Sequence, residues 1–284
     1  MGETRALLQN KEKRPGTARE AMAKMMSGRQ GRGNVELSSF YTHVVASVAF
    51  GLYAVARPIA FGDNSTASIM LTLYTASAGL VCAVSSAFHT YRTVSGWGNW
   101  MRSLDYTAIY IGLFVSNLSD VALVSDDFAS VRWQSIADVV APPLCLCVFF
   151  AVRRMLIPWG ETMKSFADST LVHRMQHEDL EHAPLRMITS AFLTLQFINT
   201  IPAALLELPK PVAERYVALS ISAYVLLWAG QLYDASMHVR TAWYCELRAC
   251  GVWDSHATWH VVSAIGIALN IAAREMALSY RTEP

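Results

Sequence analysis

The sequence predicts an all-α membrane protein, a seven-transmembrane helix bundle with a cytosolic N-terminus. Three observations lead there. Of 284 residues, 53% are hydrophobic and only 16% charged, where soluble domains carry about 25% charge. Seven apolar runs reach the length of about 20 residues that a helix needs to cross the hydrocarbon core. Most of the 23 Lys and Arg residues fall on the side that carries the N-terminus when the runs are threaded in alternation, as the positive-inside rule requires.

The elements follow in order. Residues 1–37 are rich in Lys, Arg, Gly and Gln and read as a basic, largely disordered cytosolic arm, with a short surface helix over 17–26 as the alternative. No apolar signal-peptide core precedes the first run. Residues 38–284 then hold the membrane domain, with spans at 41–61, 68–91, 104–124, 135–157, 186–207, 216–237 and 255–276. Pro142-Pro143 in the fourth span and Pro202 in the fifth should kink their helices. Freed carbonyls in lipid need partners, so kinks there suggest a cavity or a packing bend. Two glycosylation sequons, at Asn64 and Asn117, fall near the non-cytosolic side. The net charge of +1 implies no bulk polyanion partner, and no nucleotide-binding loop or nucleic-acid motif is present. The five cysteines form no CxxC pair and read as small apolar fillers or free thiols.

The chemistry sits at span ends. His256 and His260 are four residues apart, so both imidazoles project from one helical face, the spacing that lets a metal take two ligands from one helix. His89 closes the second span, with Ser85 one turn deeper on the same face, and Asp105 opens the third. With seven spans, the alternating topology brings His89, Asp105, His256 and His260 to one depth at the cytosolic face; six or eight spans would separate them. Two uses fit. His89 and Asp105 can form an interhelical polar contact with the histidine pair at the interface. Alternatively, three neutral imidazoles with an open fourth position make a catalytic zinc arrangement, with Asp105 as the base or as the partner of an imidazole N–H. Ser85 would then stabilise a developing oxyanion or hold a water.

Weaker features surround these. His43, at the start of the first span, is either a pocket residue or a buried, hydrogen-bonded histidine. His173 and His177, with His182 nearby, could bind a second metal or simply belong to a solvated loop helix. Asp234 and His238 end the sixth span as a polar pair.

The stretch Ser85-Ser-Ala-Phe-His89, then Leu104-Asp105-Tyr106, then Ser255-His256-Ala-Thr-Trp-His260, resembles the progestin and adipoQ receptor family and its bacterial relatives, the hemolysin III proteins. Thr42-His43 resembles that family's opening. The likeness covers roughly residues 36–276. It implies a seven-helix bundle with a cytosolic N-terminus and a Zn2+ near the cytosolic face, held by His89, His256 and His260. It also implies that Ser85 and Asp105 lie beside the metal. Because the wider superfamily includes alkaline ceramidases, it implies hydrolysis of a lipid amide or ester, with a lipid or sphingolipid as substrate. A receptor or scaffold with a structural zinc and a protein signalling partner is the competing expectation. A channel is a weaker third, since no ring of like charge or selectivity filter is present.

Overall fold

The computed structural model describes residues 33–62, 64–91, 98–124, 201, 205, 208–237 and 255–282. Every described element is helical: α1 (Gly33–Phe61), α2 (Thr66–Tyr91), α3 (Gly98–Val124), α4 (Lys210–Met237) and α5 (Ser255–Thr282). Each contains a stretch long and apolar enough to cross a membrane. They correspond to the expected first, second, third, sixth and seventh spans. The expected fourth span lies outside the described residues, as do Pro142-Pro143, Pro202, His173, His177, His182 and His238; of the fifth span only residues 201 and 205 are described.

Local chemistry sets the helix ends. Gly62, at φ 63°, ends α1; that left-handed turn is open to glycine without a Cβ penalty. Ser65 caps α2, its hydroxyl accepting from the Ser68 amide at 3.2 Å while its carbonyl accepts from Ile69. Helix α4 starts at Lys210, well before the expected 216. Pro211 occupies the first turn, where its missing N–H costs nothing, and the amides of Val212 and Ala213 both donate to the Pro209 carbonyl at 2.9 Å. The charges of Lys210, Glu214 and Arg215 marked the edge of the apolar run, yet all three are exposed on a helix that continues through them. Likewise α1 begins ahead of position 41, burying Ser38 and Ser39, and α5 runs past 276, burying Ala277 and Leu278. Asn117, the second sequon asparagine, is buried within α3, where a glycan has no room.

On α1 the exposed face is the apolar one. Val45, Val48, Leu52, Val55 and Ile59 repeat at steps of three and four residues and are all 55–82% exposed. A soluble helix puts that stripe in its core; here it faces outward, as a lipid solvent allows. The small residues face inward. A Cβ on Gly79 of α2 would sit 3.3 Å from the backbone of Ser47 and Gly51 on α1, and the Ser47 hydroxyl donates to the Gly79 carbonyl at 2.9 Å. Close backbone approach through small residues is how helices associate when lipid removes the hydrophobic drive.

The residues divide into two compact units. The first lies within Met1–Ile59, Thr75–Ile109 and Ala229–Ile265, the second within Ala60–Tyr74, Tyr110–Trp228 and Gly266–Pro284. In the second, Arg274 of α5 is 0% exposed. It forms a two-pronged ion pair with Asp120 of α3, Nε to Oδ1 and Nη2 to Oδ2, both at 2.8 Å. Its Nη2 also donates to the Ser116 hydroxyl at 2.9 Å and its Nη1 to Asn270. Tyr216 of α4 donates to Asp120 at 3.1 Å, and the guanidinium lies 4.5 Å over the Tyr74 ring of α2. A charge inside an apolar bundle is tolerated only with such partners.

Candidate metal centre

The first unit gathers imidazoles. Helix α5 presents His256 and His260 one turn apart, their ring centroids 4.3 Å from each other. Helix α2 brings His89, 1% exposed, to 5.3 Å from His256 and 5.0 Å from His260. Helix α1 brings His43, 3.8 Å from His260 and 5.6 Å from His89. Four rings from three helices therefore meet. Ligand nitrogens of His43, His89 and His260 all lie within 4.8 Å of one another. His256 stands beside this group, its ring 5.2 Å from that of Trp259 and tilted 49° to it. Trp259 is held in turn by α4, where its Cδ1 comes within 3.0 Å of the position a Cβ on Gly230 would take.

Two hydrogen-bonding details bear on these nitrogens. The Thr42 hydroxyl donates to the Ser39 carbonyl at 2.8 Å and lies 3.5 Å from Nδ1 of His260. With that proton directed at Ser39, the Thr42 oxygen is free to accept from Nδ1 of His260 in the tautomer that leaves the lone pair on Nε2. Nε2 of His43 is buried and has no hydrogen-bond partner among the described residues. Buried polar atoms nearly always find a partner, and an imidazole nitrogen without one is a lone pair or an N–H in need of a ligand.

Ser85 and Asp105 are both buried in the same unit. Asp105 is close enough to Cys82 of α2 to interact with it electrostatically; it is not part of the converging histidine group. Ser85 and Ser86 are adjacent, and they behave differently. Ser86 donates to the Ala83 carbonyl at 2.7 Å, tied to its own helix. The Ser85 hydroxyl makes no such bond among the described residues, and Ser85 lies one turn before His89.

A model of haemolysin-III related proteins matches residues 33–271. The chain belongs to the haemolysin-III related family. No curated protein and no solved structure matches it. The matched segment contains His43, Ser85, His89, Asp105, His256 and His260.

The donor set of this haemolysin-III related chain fits a metal. Neutral imidazoles suit zinc, copper, iron and nickel. Tetrahedral ligands at about 2.0–2.1 Å from zinc sit roughly 3.4 Å apart, so a spread of up to 4.8 Å closes with about 1.4 Å of adjustment shared between side chains. The unpartnered Nε2 of His43 is the kind of buried atom a cation would satisfy.

Two groups were missed at the level of sequence. His43 was read as a pocket or hydrogen-bonded histidine, yet it lies in the cluster. The topology that aligned His89, Asp105 and His256 also puts the start of the first span at that depth, and that was the available signal. The Arg274–Asp120 network was not anticipated; Asn270 four residues before Arg274, and an aspartate inside the third span at Asp120, were its signs.

Proposed function

We propose that this protein is an integral-membrane zinc hydrolase acting on a lipid amide, ceramide-like, or a lipid ester. In this reading it has seven spans with a cytosolic N-terminus, and the site opens toward the cytosolic face. His89, His256 and His260 hold the zinc, with Asp105 and Ser85 beside it. The observation that supports the reading is the meeting of imidazoles from separate apolar helices in a family member: His89 and His260 are buried and share a donor group within 4.8 Å with His43, and the His256 ring lies 4.3 Å from that of His260. Ionisable groups inside a bundle of membrane helices mark functional sites more often than packing.

Bound there, zinc would polarise a carbonyl and lower the pKa of water toward about 7. The chain's own residues do the rest. Asp105 accepts the proton of the attacking water and returns it to the departing amine or alcohol, so that a C–O bond forms as the C–N or C–O bond breaks. The Ser85 hydroxyl donates to the carbonyl oxygen as negative charge builds on it. Thr42 holds His260 in the tautomer that leaves Nε2 free to ligate.

The test is turnover of a ceramide and acyl-lipid panel by purified, zinc-loaded protein, beside Asp105→Asn. Hydrolysis lost in Asp105→Asn with zinc retained supports the reading; zinc present with no turnover on any substrate contradicts it. One observation favours a second reading, a receptor or scaffold with a structural zinc. His43 adjoins the other three imidazoles, and four imidazoles would leave no open position. Signalling that survives Asp105→Asn would decide for it.

A further inference from the structure

We propose that α1 supplies a subsite for a substrate hydroxyl beside the histidine cluster, formed by the Ser39 hydroxyl and Nε2 of His43. The inference rests on the hydrolase reading above and adds to it two residues that touch substrate and the group they select.

Two unspent polar atoms carry it. Ser39 is 1% exposed, and its Oγ has no hydrogen-bond partner among the described residues. Nε2 of His43 is buried in the same condition. Thr42, Thr72, Ser86 and Thr90 each return the hydroxyl proton to a carbonyl of their own helix; Ser39 does not. Positions 39 and 43 are about one helical turn apart, so they share a face of α1. That part of α1 adjoins the imidazoles. The His43 ring lies 3.8 Å from that of His260, and the Thr42 hydroxyl links the Ser39 carbonyl, at 2.8 Å, to Nδ1 of His260, at 3.5 Å. Buried polar atoms without partners cost stability, and two of them at the edge of a candidate site are capacity held for a ligand.

A hydroxyl answers both vacancies. It donates and accepts at once, so it pairs with Ser39 and His43 whichever ring nitrogen of His43 carries the proton. A carbonyl, ether or phosphate oxygen only accepts, and serves the pair in one tautomer alone. On the reading above, His89, His256 and His260 hold the metal and its fourth position stays open. A nitrogen of His43 lies within 4.8 Å of ligand nitrogens of His89 and His260, so a hydroxyl held by His43 is only a few bonds from a carbonyl held at the centre. The substrate class narrows to a lipid amide or ester with a free hydroxyl near the bond that breaks.

The experiment uses detergent-purified, zinc-loaded full-length protein and a matched pair of non-hydrolysable lipid ureas, one bearing a hydroxyl near the urea and one lacking it. Quenching of tryptophan fluorescence gives their affinities for the wild type, Ser39→Ala and His43→Leu, with zinc content measured alongside. The wild type should prefer the hydroxylated lipid by about 100-fold or more, since a site built around a hydroxyl rejects analogues lacking it by up to about 10⁴–10⁵. Each variant should keep its zinc and lower that preference by about tenfold, the worth of one hydrogen bond at the upper end of its range. Equal affinity for the two lipids in the wild type, or a preference unmoved in both variants, would overturn the subsite. Zinc lost from folded His43→Leu would assign that nitrogen to the metal and overturn it too. If His43→Leu does not fold, Ser39→Ala decides, because deleting an unpaired buried hydroxyl costs little stability. The hydrolase reading fails separately. A hydroxyl preference in binding, with no turnover of any hydroxylated amide or ester, sinks hydrolysis and leaves the subsite; turnover with no such preference sinks the subsite alone.

Discussion

Replacing Asp120 by Asn removes one charge from the pair with Arg274 and little else, because the side chains have the same shape. Arg274 is 0% exposed, so the orphaned guanidinium gains no water. Its other partners, Asn270 and Ser116, are neutral dipoles and cannot balance a full charge. Two charge-assisted bonds at 2.8 Å lose their ionic component, and the Tyr216 bond to Oδ1 weakens from an ionic to a neutral one. Breaking a buried pair from one side costs about 3–5 kcal/mol, and the change at Tyr216 adds less than about 1 kcal/mol. Replacing both partners, Asp120→Leu with Arg274→Met, removes the uncompensated charge and should recover most of the loss, since apolar substitutes for whole buried pairs are often neutral or better. The assay is reversible unfolding in mixed micelles by denaturing detergent titration, followed by tryptophan fluorescence, for the two single changes and the double. A loss under about 1 kcal/mol in Asp120→Asn, or a double variant no better than the worse single, would refute the idea that a desolvated charge pair holds this part of the bundle together.

Two further outcomes follow from geometry. Thr42→Val removes the hydroxyl that lies 3.5 Å from Nδ1 of His260; zinc affinity should fall by about tenfold at the low end of outer-shell effects, and unchanged chelator competition would remove Thr42 from the site. Gly51→Ala and Gly79→Ala should diverge, because a Cβ meets nothing within 4 Å at Gly51 but lies 3.3 Å from backbone atoms at Gly79. Helix propensity favours alanine at both by up to about 1 kcal/mol, while overpacking at Gly79 costs about 1–3 kcal/mol. Equal melting temperatures would show that α1 and α2 do not approach as closely as described.

Much of this was legible in the sequence because lipid is a simple solvent. A run such as 68–91 must be helical and must be about that long, and α2 spans Thr66–Tyr91. The pairing of His256 with His260 followed from helical spacing alone, and the approach of His89 from counting spans. The misreadings share a cause. Hydropathy ends a segment at a charge, but a helix ends where its backbone runs out of partners. Thus Lys210, Glu214 and Arg215 sit on exposed turns of α4, and Arg274 turns inward because Asp120, on a helix 150 residues earlier in the chain, neutralises it. His43 was underread for a related reason: its place among the other imidazoles and the burial of its Nε2 arise from α2 and α5 packing beside it, and no local spacing on α1 encodes that.

The central claim is that the histidine cluster holds a metal. Elemental analysis of detergent-purified protein tests it most directly, wild type beside His256→Ala/His260→Ala. The account predicts about one zinc per wild-type chain and almost none in the double variant. Folded wild type without metal would contradict it and leave the imidazoles as a polar contact between helices.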